Sequence, residues 1–125
     1  ISFEADIDLE KGTGKCNCTF CWKQRMWNAG QLDPADFRLI TGADSLGDYG
    51  RTGDWGEVHH FFCKSCGIAA HGSGRIVQIG GNPYVSVHLA ALDDLPAEDL
   101  IAAPVQYMDG LHDNWWNTPA ETRHL

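Results

Sequence analysis

The chain has 125 residues, a net charge of −8, and 43% hydrophobic against 21% charged residues. That balance is the one of a single globular domain, residues 1–125, and it excludes a disordered, collagen-like or solenoid chain. No cluster of Lys and Arg offers the counterion release that nucleic-acid binding needs, and no apolar run approaches the ~20 residues that span a bilayer, so neither nucleic acid nor membrane is an expected partner.

Fourteen glycines favour a turn-rich, mainly β fold with one or two short helices. Phe3, Ala5 and Ile7 alternate with polar residues from Ser2 to Asp8, the period of a half-buried strand. Gly12-Thr13-Gly14 reads as a turn before the first cysteines, and Cys21 to Arg25 as a short helical turn behind them. Asp33-Pro34-Ala35-Asp36 predicts a helix start or β-turn, Phe37 to Ile40 a strand ended by Thr41-Gly42, and Leu46 to Tyr49 a short strand before a polar loop, Gly50 to Gly56. Val58 to Phe62 predicts a strand running into Cys63-Lys64-Ser65-Cys66-Gly67. Gly72 to Gly74 and Gly80 to Pro83 read as turns, and Tyr84 to Leu89 as a strand. Pro96 to Ala102 is the best helix, with Asp94 as its cap, and Pro104 stops it. From Val105 onward no period stands out.

The five cysteines, Cys16, Cys18, Cys21, Cys63 and Cys66, carry most of the information. An odd number at such short spacings makes a poor disulfide framework. Soft thiolates clustered on tight turns suit zinc, and reduced thiols suit a cytoplasmic location. Cys63-x-x-Cys66-Gly67 has the form of a zinc knuckle, the glycine allowing a left-handed turn beneath the metal. Spacing leaves two wirings open. Cys18, Cys21, Cys63 and Cys66 would make one closed structural site with Cys16 left over, although the knuckles are far apart. Alternatively, Cys16, Cys18 and Cys21 would form a three-thiolate site with an open fourth position, the arrangement of catalytic zinc.

Lys15-Cys16-Asn17-Cys18-Thr19-Phe20-Cys21 resembles the C-x-C-x-x-C motif of the glutathione-dependent formaldehyde-activating enzyme family, which includes the domain of centromere protein V. Phe62-Cys63-Lys64-Ser65-Cys66-Gly67 is similar to its F-C-x-x-C-G motif, Tyr84 to Val87 with Leu92-Asp93-Asp94 to its next segment, and Asp109 to Trp115 to its H-D-N-W ending. The resemblance runs from Phe3 to the C-terminus. It implies a small zinc-binding β-tent fold, a substrate-side zinc on Cys16, Cys18 and Cys21, and a structural zinc on Cys63 and Cys66 completed by a C-x-C pair before Ile1. The present sequence has no such pair. Since it also lacks an initiating Met, a few native residues, with a C-x-C among them, are expected upstream.

The chemistry so implied is carbon–sulfur lyase-type: addition of the glutathione thiolate, or another small thiol, to formaldehyde or a similar small aldehyde. Zinc deprotonates the thiol, and a histidine serves the developing alkoxide, with His112 and His59 the chosen candidates and His60 the remaining one. His112 beside Asp113 reads as an oriented pair or a polar turn. His59 and His60 must face opposite sides of their strand. Lys23, Arg25 and Arg51 are the candidates for the carboxylates of glutathione. Trp115-Trp116, Trp22 and Trp27 read first as packing residues and second as walls of the site. The alternative function is a zinc-stabilised module that carries a thiol without turnover.

Overall fold

A computed structural model describes all residues, Ile1–Leu125, as a mainly β fold with two short helices. Strand β1 (Ser2–Ala5) pairs antiparallel with β4 (Phe37–Thr41). Strands β5 (Leu46–Gly53), β6 (Gly56–Cys63), β7 (Ala69–Ile76) and β8 (Pro83–Val87) form an antiparallel meander in sequence order. A third sheet has the order β3-β2-β9, from β2 (Thr13–Cys16), β3 (Asn28–Ala29) and β9 (Val105–Met108). The helices are α1 (Thr19–Gln24) and α2 (Ala97–Ala102), and neither is long and apolar enough to cross a membrane.

Ala29, Val87 and Leu89 form the fully buried centre, with Phe3, Trp27, Phe37 and Leu100 packed around it. Only 17 of 125 residues are buried, so the core is thin and the polar links between sheets matter for holding the loops in place. Trp27 is one such link: its Nε1–H donates to Thr13 Oγ1 at 2.7 Å, and Thr13 Oγ1 donates to the Pro104 carbonyl at 2.8 Å. The packing reading of Trp27 therefore holds. Trp115 and Trp116 are exposed, 43% and 69%, and do not pack a core.

Four sequence expectations need correction. Thr13 and Gly14 are not a turn. They open β2, and only Gly12, with a φ of 103°, turns the chain. Gly50 to Gly56 is not a loop, because β5 and β6 pair from Leu46↔Cys63 to Gly53↔Gly56 and only Asp54 and Trp55 make the bend. Gly72 to Gly74 lies within β7. A Cβ at Gly74 would fall 2.6 Å from the Tyr84 hydroxyl across the sheet, so the glycine makes room for a neighbouring side chain. The cap of α2 is Pro96, without a side-chain hydrogen bond, and not Asp94. The unpatterned tail holds a strand, β9, whose ladder lies on β2.

The pairing of β2 with β9 is parallel, from Thr13↔Val105 to Cys16↔Met108. Parallel strands end side by side, so the loops leaving them emerge together. One loop is Asn17 with the cysteine turn of α1, and the other is Asp109 to His112. Two motifs more than ninety residues apart in sequence are thereby brought to one place.

Candidate metal centre

Cys16 closes β2, Cys18 is the N-cap of α1, and Cys21 lies in the first turn of that helix. The Cys18 sulfur accepts the Cys21 N–H at 3.4 Å, and the Cys16 sulfur accepts the Cys18 N–H at 3.3 Å. The helix is thus started by a thiol in the place where Ser or Asp usually stands. All three sulfurs lie within 4.8 Å of one another, and no fourth His, Cys, Asp or Glu donor joins them.

Three thiols this close cannot all ionise without a cation. Hydrogen bonding from the Cys16 and Cys21 thiols pulls Cys18 far below the ordinary thiol range, to about 2. Hydrogen bonding to Cys16 and Cys18, with burial, pushes Cys21 up, and hydrogen bonding to Cys18, with burial, pushes Cys16 up. A soft divalent ion relieves this conflict. Zinc–sulfur bonds of ~2.3 Å in a tetrahedron set sulfurs roughly 3.8 Å apart, so the triad fits with little movement. The donor set therefore suits a thiophilic metal with one position open.

Cys63 and Cys66 stand apart from this triad. Gly67, at a φ of 76°, and the Gly67 N–H donating to the Cys63 carbonyl at 2.8 Å make the expected knuckle turn. The N–H groups of Cys66 and Ser65 hold the Cys63 thiol below its ordinary range. No third donor from residues 1–125 joins the pair, so it does not by itself make up a metal site. The turn at Ser45 accepts the Lys64 N–H at 2.9 Å, and Ile1 packs on Gly42 at the head of the same turn.

The second loop is wired to the first through Asn17, a buried residue between two cysteines. Its Nδ2–H donates to Asp109 Oδ1 at 2.7 Å, and its Oδ1 accepts the Leu111 N–H at 2.9 Å. Asp109 also receives His112 Nδ1–H, at 2.8 Å to Oδ1. The Asn17 bond first, and then His112, hold the Asp109 carboxyl below the usual carboxylate range. Because a carboxylate only accepts, the His112 proton sits on Nδ1 and Nε2 is left free. His112 thus pairs with Asp109 rather than Asp113, which instead accepts Trp115 Nε1–H at 2.8 Å. Gly110 is wedged in this loop: a Cβ there would lie 2.7 Å from Cys16 Sγ and 2.5 Å from the Trp115 ring.

The other candidates fall differently. His59 pairs with Asp48, Nδ1 to Oδ2 at 2.8 Å, and stacks on Phe61. Its neighbour His60 points the opposite way and meets the Phe20 ring of α1 at 4.1 Å, so His60, not His59, is the strand histidine on the cysteine side. Arg25 ends α1 in the left-handed region and donates to the His124 carbonyl, while Lys23 is an exposed helix residue. Lys15, not expected from sequence, donates to a Leu125 carboxyl-terminal oxygen at 3.1 Å and lies over Trp27. Arg51 is exposed on β5 and lowers the His60 pKa by its charge, behind the larger effect of burial. Asp109, Asn17 and Gly110 were missed from sequence. The Asp109-x-x-His112 spacing was the one available signal. Comparison with family models, with curated proteins and with solved structures returns no match for this chain.

Proposed function

We propose that this protein is a zinc-dependent carbon–sulfur lyase-type enzyme that joins a small thiol to a small aldehyde, the reaction of S-(hydroxymethyl)glutathione synthase. The observation that carries this reading is the triad of Cys16, Cys18 and Cys21 with its fourth position left open. Zinc held there supplies a coordination position that takes a thiol as its thiolate at neutral pH. In the reaction the sulfur–carbon bond forms, the carbonyl π bond opens, and the thiol proton ends on the new hydroxyl. His112 Nε2 is the group that carries this proton, since Asp109 fixes the ring through Nδ1. Asn17 positions both, by tying Asp109 and the Leu111 N–H to the cysteine loop. Lys23 on α1 and Arg25 at its C-terminal cap carry positive charge suited to the carboxylates of a thiol such as glutathione. The motif resemblance to glutathione-dependent formaldehyde-activating enzymes supports the same chemistry, and a cytoplasmic setting suits the free thiols.

The test is exchange NMR of glutathione and formaldehyde with the zinc-loaded protein, the metal-free protein and Cys18→Ser. Faster exchange with the zinc-loaded wild type alone is expected. An exchange rate equal to that of buffer would remove the enzyme reading. One observation favours the carrier alternative: no His, Asp or Glu ligand atom lies within 4.8 Å of all three sulfurs. Zinc-dependent thiol binding without faster exchange is its signature.

A further inference from the structure

A groove of about 340 Å³ lies between α1, the β5–β6 hairpin and the knuckle turn at Gly67. It is lined by Phe20, Gln24, Met26, Tyr49, His60 and Phe62, with no Lys, Arg, Asp or Glu among its residues. That volume is at the small end of the roughly 300–1,000 Å³ of ligand sites. Phe20 sits in α1 between Cys18 and Cys21, so the groove shares an element with the metal ligands. The rings are aligned: Phe20 and Tyr49 stack at 5.4 Å and 12°, and Tyr49 and His60 at 6.3 Å and 24°. Tyr49 is 48% exposed, which leaves one edge of the stack open at the mouth.

Formaldehyde has no substituent that could use such a surface. Glutathione, with two carboxylates, finds no cation in it. Lys15, on β2, and Arg25, at the end of α1, are bonded instead to the chain's last residues, Leu125 and His124, which the groove does not include. We infer that the groove takes the substituent of the aldehyde, and that the preferred substrate is an aldehyde bearing an aromatic ring, benzaldehyde-like in size, with the thiol held on the cationic side of α1. The inference rests on the thiol–aldehyde reading above. The product is the hemithioacetal: the sulfur–carbon bond forms, the carbonyl π bond breaks, and the thiol proton passes to oxygen. No oxidant or further reactant is needed.

Exchange rates of glutathione with 4-fluorobenzaldehyde and with formaldehyde, measured on the zinc-loaded protein, give a selectivity ratio. A preference of about tenfold or more for the aromatic aldehyde is expected, as for a ring-sized apolar group in a fitted pocket. Tyr49→Ala, on an exposed edge strand, should lower that ratio at least about threefold, the scale of a partly lost apolar contact. Fluorine line broadening of 4-fluorobenzyl alcohol, measured on wild type and Tyr49→Ala, reads groove occupancy without turnover. Equal rates for the two aldehydes, or a ratio unmoved by Tyr49→Ala, would overturn the inference and leave the thiol–aldehyde reading intact. Absence of acceleration with either aldehyde would end that reading. Broadening that Tyr49→Ala abolishes would then still assign the groove to an aromatic ligand, and absence of broadening would withdraw it.

Discussion

Gly110→Ala tests whether the Asp109–His112 loop shapes the cysteine triad. A methyl carbon at this position would lie 2.7 Å from Cys16 Sγ and 2.5 Å from the Trp115 ring. Ordinary heavy-atom contacts sit at ~3.5–4.0 Å, so the overlap is about 1 Å on each side. Trp115 is 43% exposed and has room to swing away, whereas Cys16, at 6%, is buried. The sulfur side is therefore the one that resists. Overpacking of this kind costs ~1–3 kcal/mol. If that strain falls on the metal-bound arrangement, the zinc dissociation constant rises roughly 5- to 150-fold. Competition with a chromophoric chelator measures it. Gly30→Ala is the control, because its added carbon meets nothing closer than 3.9 Å. Wild-type zinc affinity in Gly110→Ala, with only Trp115 fluorescence changed, would refute the claim that this glycine protects the position of Cys16.

Cys18→Ser should remove one equivalent of zinc and all acceleration while leaving a cooperative melt. Cys63→Ser should lower the melting temperature by roughly 5 °C or more if its knuckle is coupled to folding; equal melts for the two variants would refute the division into an open site and a structural one. Burial lowers the pKa of His71, which packs among Phe37, Phe61 and Phe3, and of His88, so the folded chain refuses protons that the unfolded chain accepts. Their stabilising contribution is complete above the unfolded value of ~6.5 and is lost as pH falls below it toward the folded-state values. Urea midpoints between pH 7 and 5 should therefore fall less steeply for His71→Phe than for wild type, and parallel curves would show that His71 does not contribute.

The legible parts of this chain were those whose partners lie nearby in sequence. The helical turn after Cys21, the Asp33-Pro34 turn and the knuckle at Gly67 are fixed by local chemistry and appear where the sequence puts them. The illegible parts depend on distant partners. Thr13-Gly14 looks like a turn until Val105 and Gln106 pair with it, and β9 has no pattern of its own because four residues are too short to show one. Gly50 and Gly74 read as breaks, yet they are strand positions where a neighbour's ring fills the space: His59 over Gly50 and Tyr84 over Gly74. The wrong partner for His112 has the same origin. Asp113 is adjacent in sequence, but its left-handed backbone turns it toward Trp115, while Asp109 caps the start of the single 3-10 turn, Gly110–His112, that carries the histidine back over it.

The division between local and distant also bears on what a metal does here. Cys16, Cys18 and Cys21 lie within one short stretch, so an unfolded chain already offers three thiols to an ion. Affinity for the unfolded state subtracts from the stability that binding confers. The folded chain gains its advantage from what only folding supplies. That is the parallel seating of β2 on β9, the Asn17 bonds to Asp109 and Leu111, and the close fit of Gly110 on Cys16. These contacts hold the Cys18 and Cys21 N–H groups on sulfur and keep the fourth direction free of protein donors. A C-x-C-x-x-C peptide can chelate an ion. The loop at residues 109–112 fits against that chelate through Asn17 and Gly110, and for that reason the shape of the first motif is unfinished without the last.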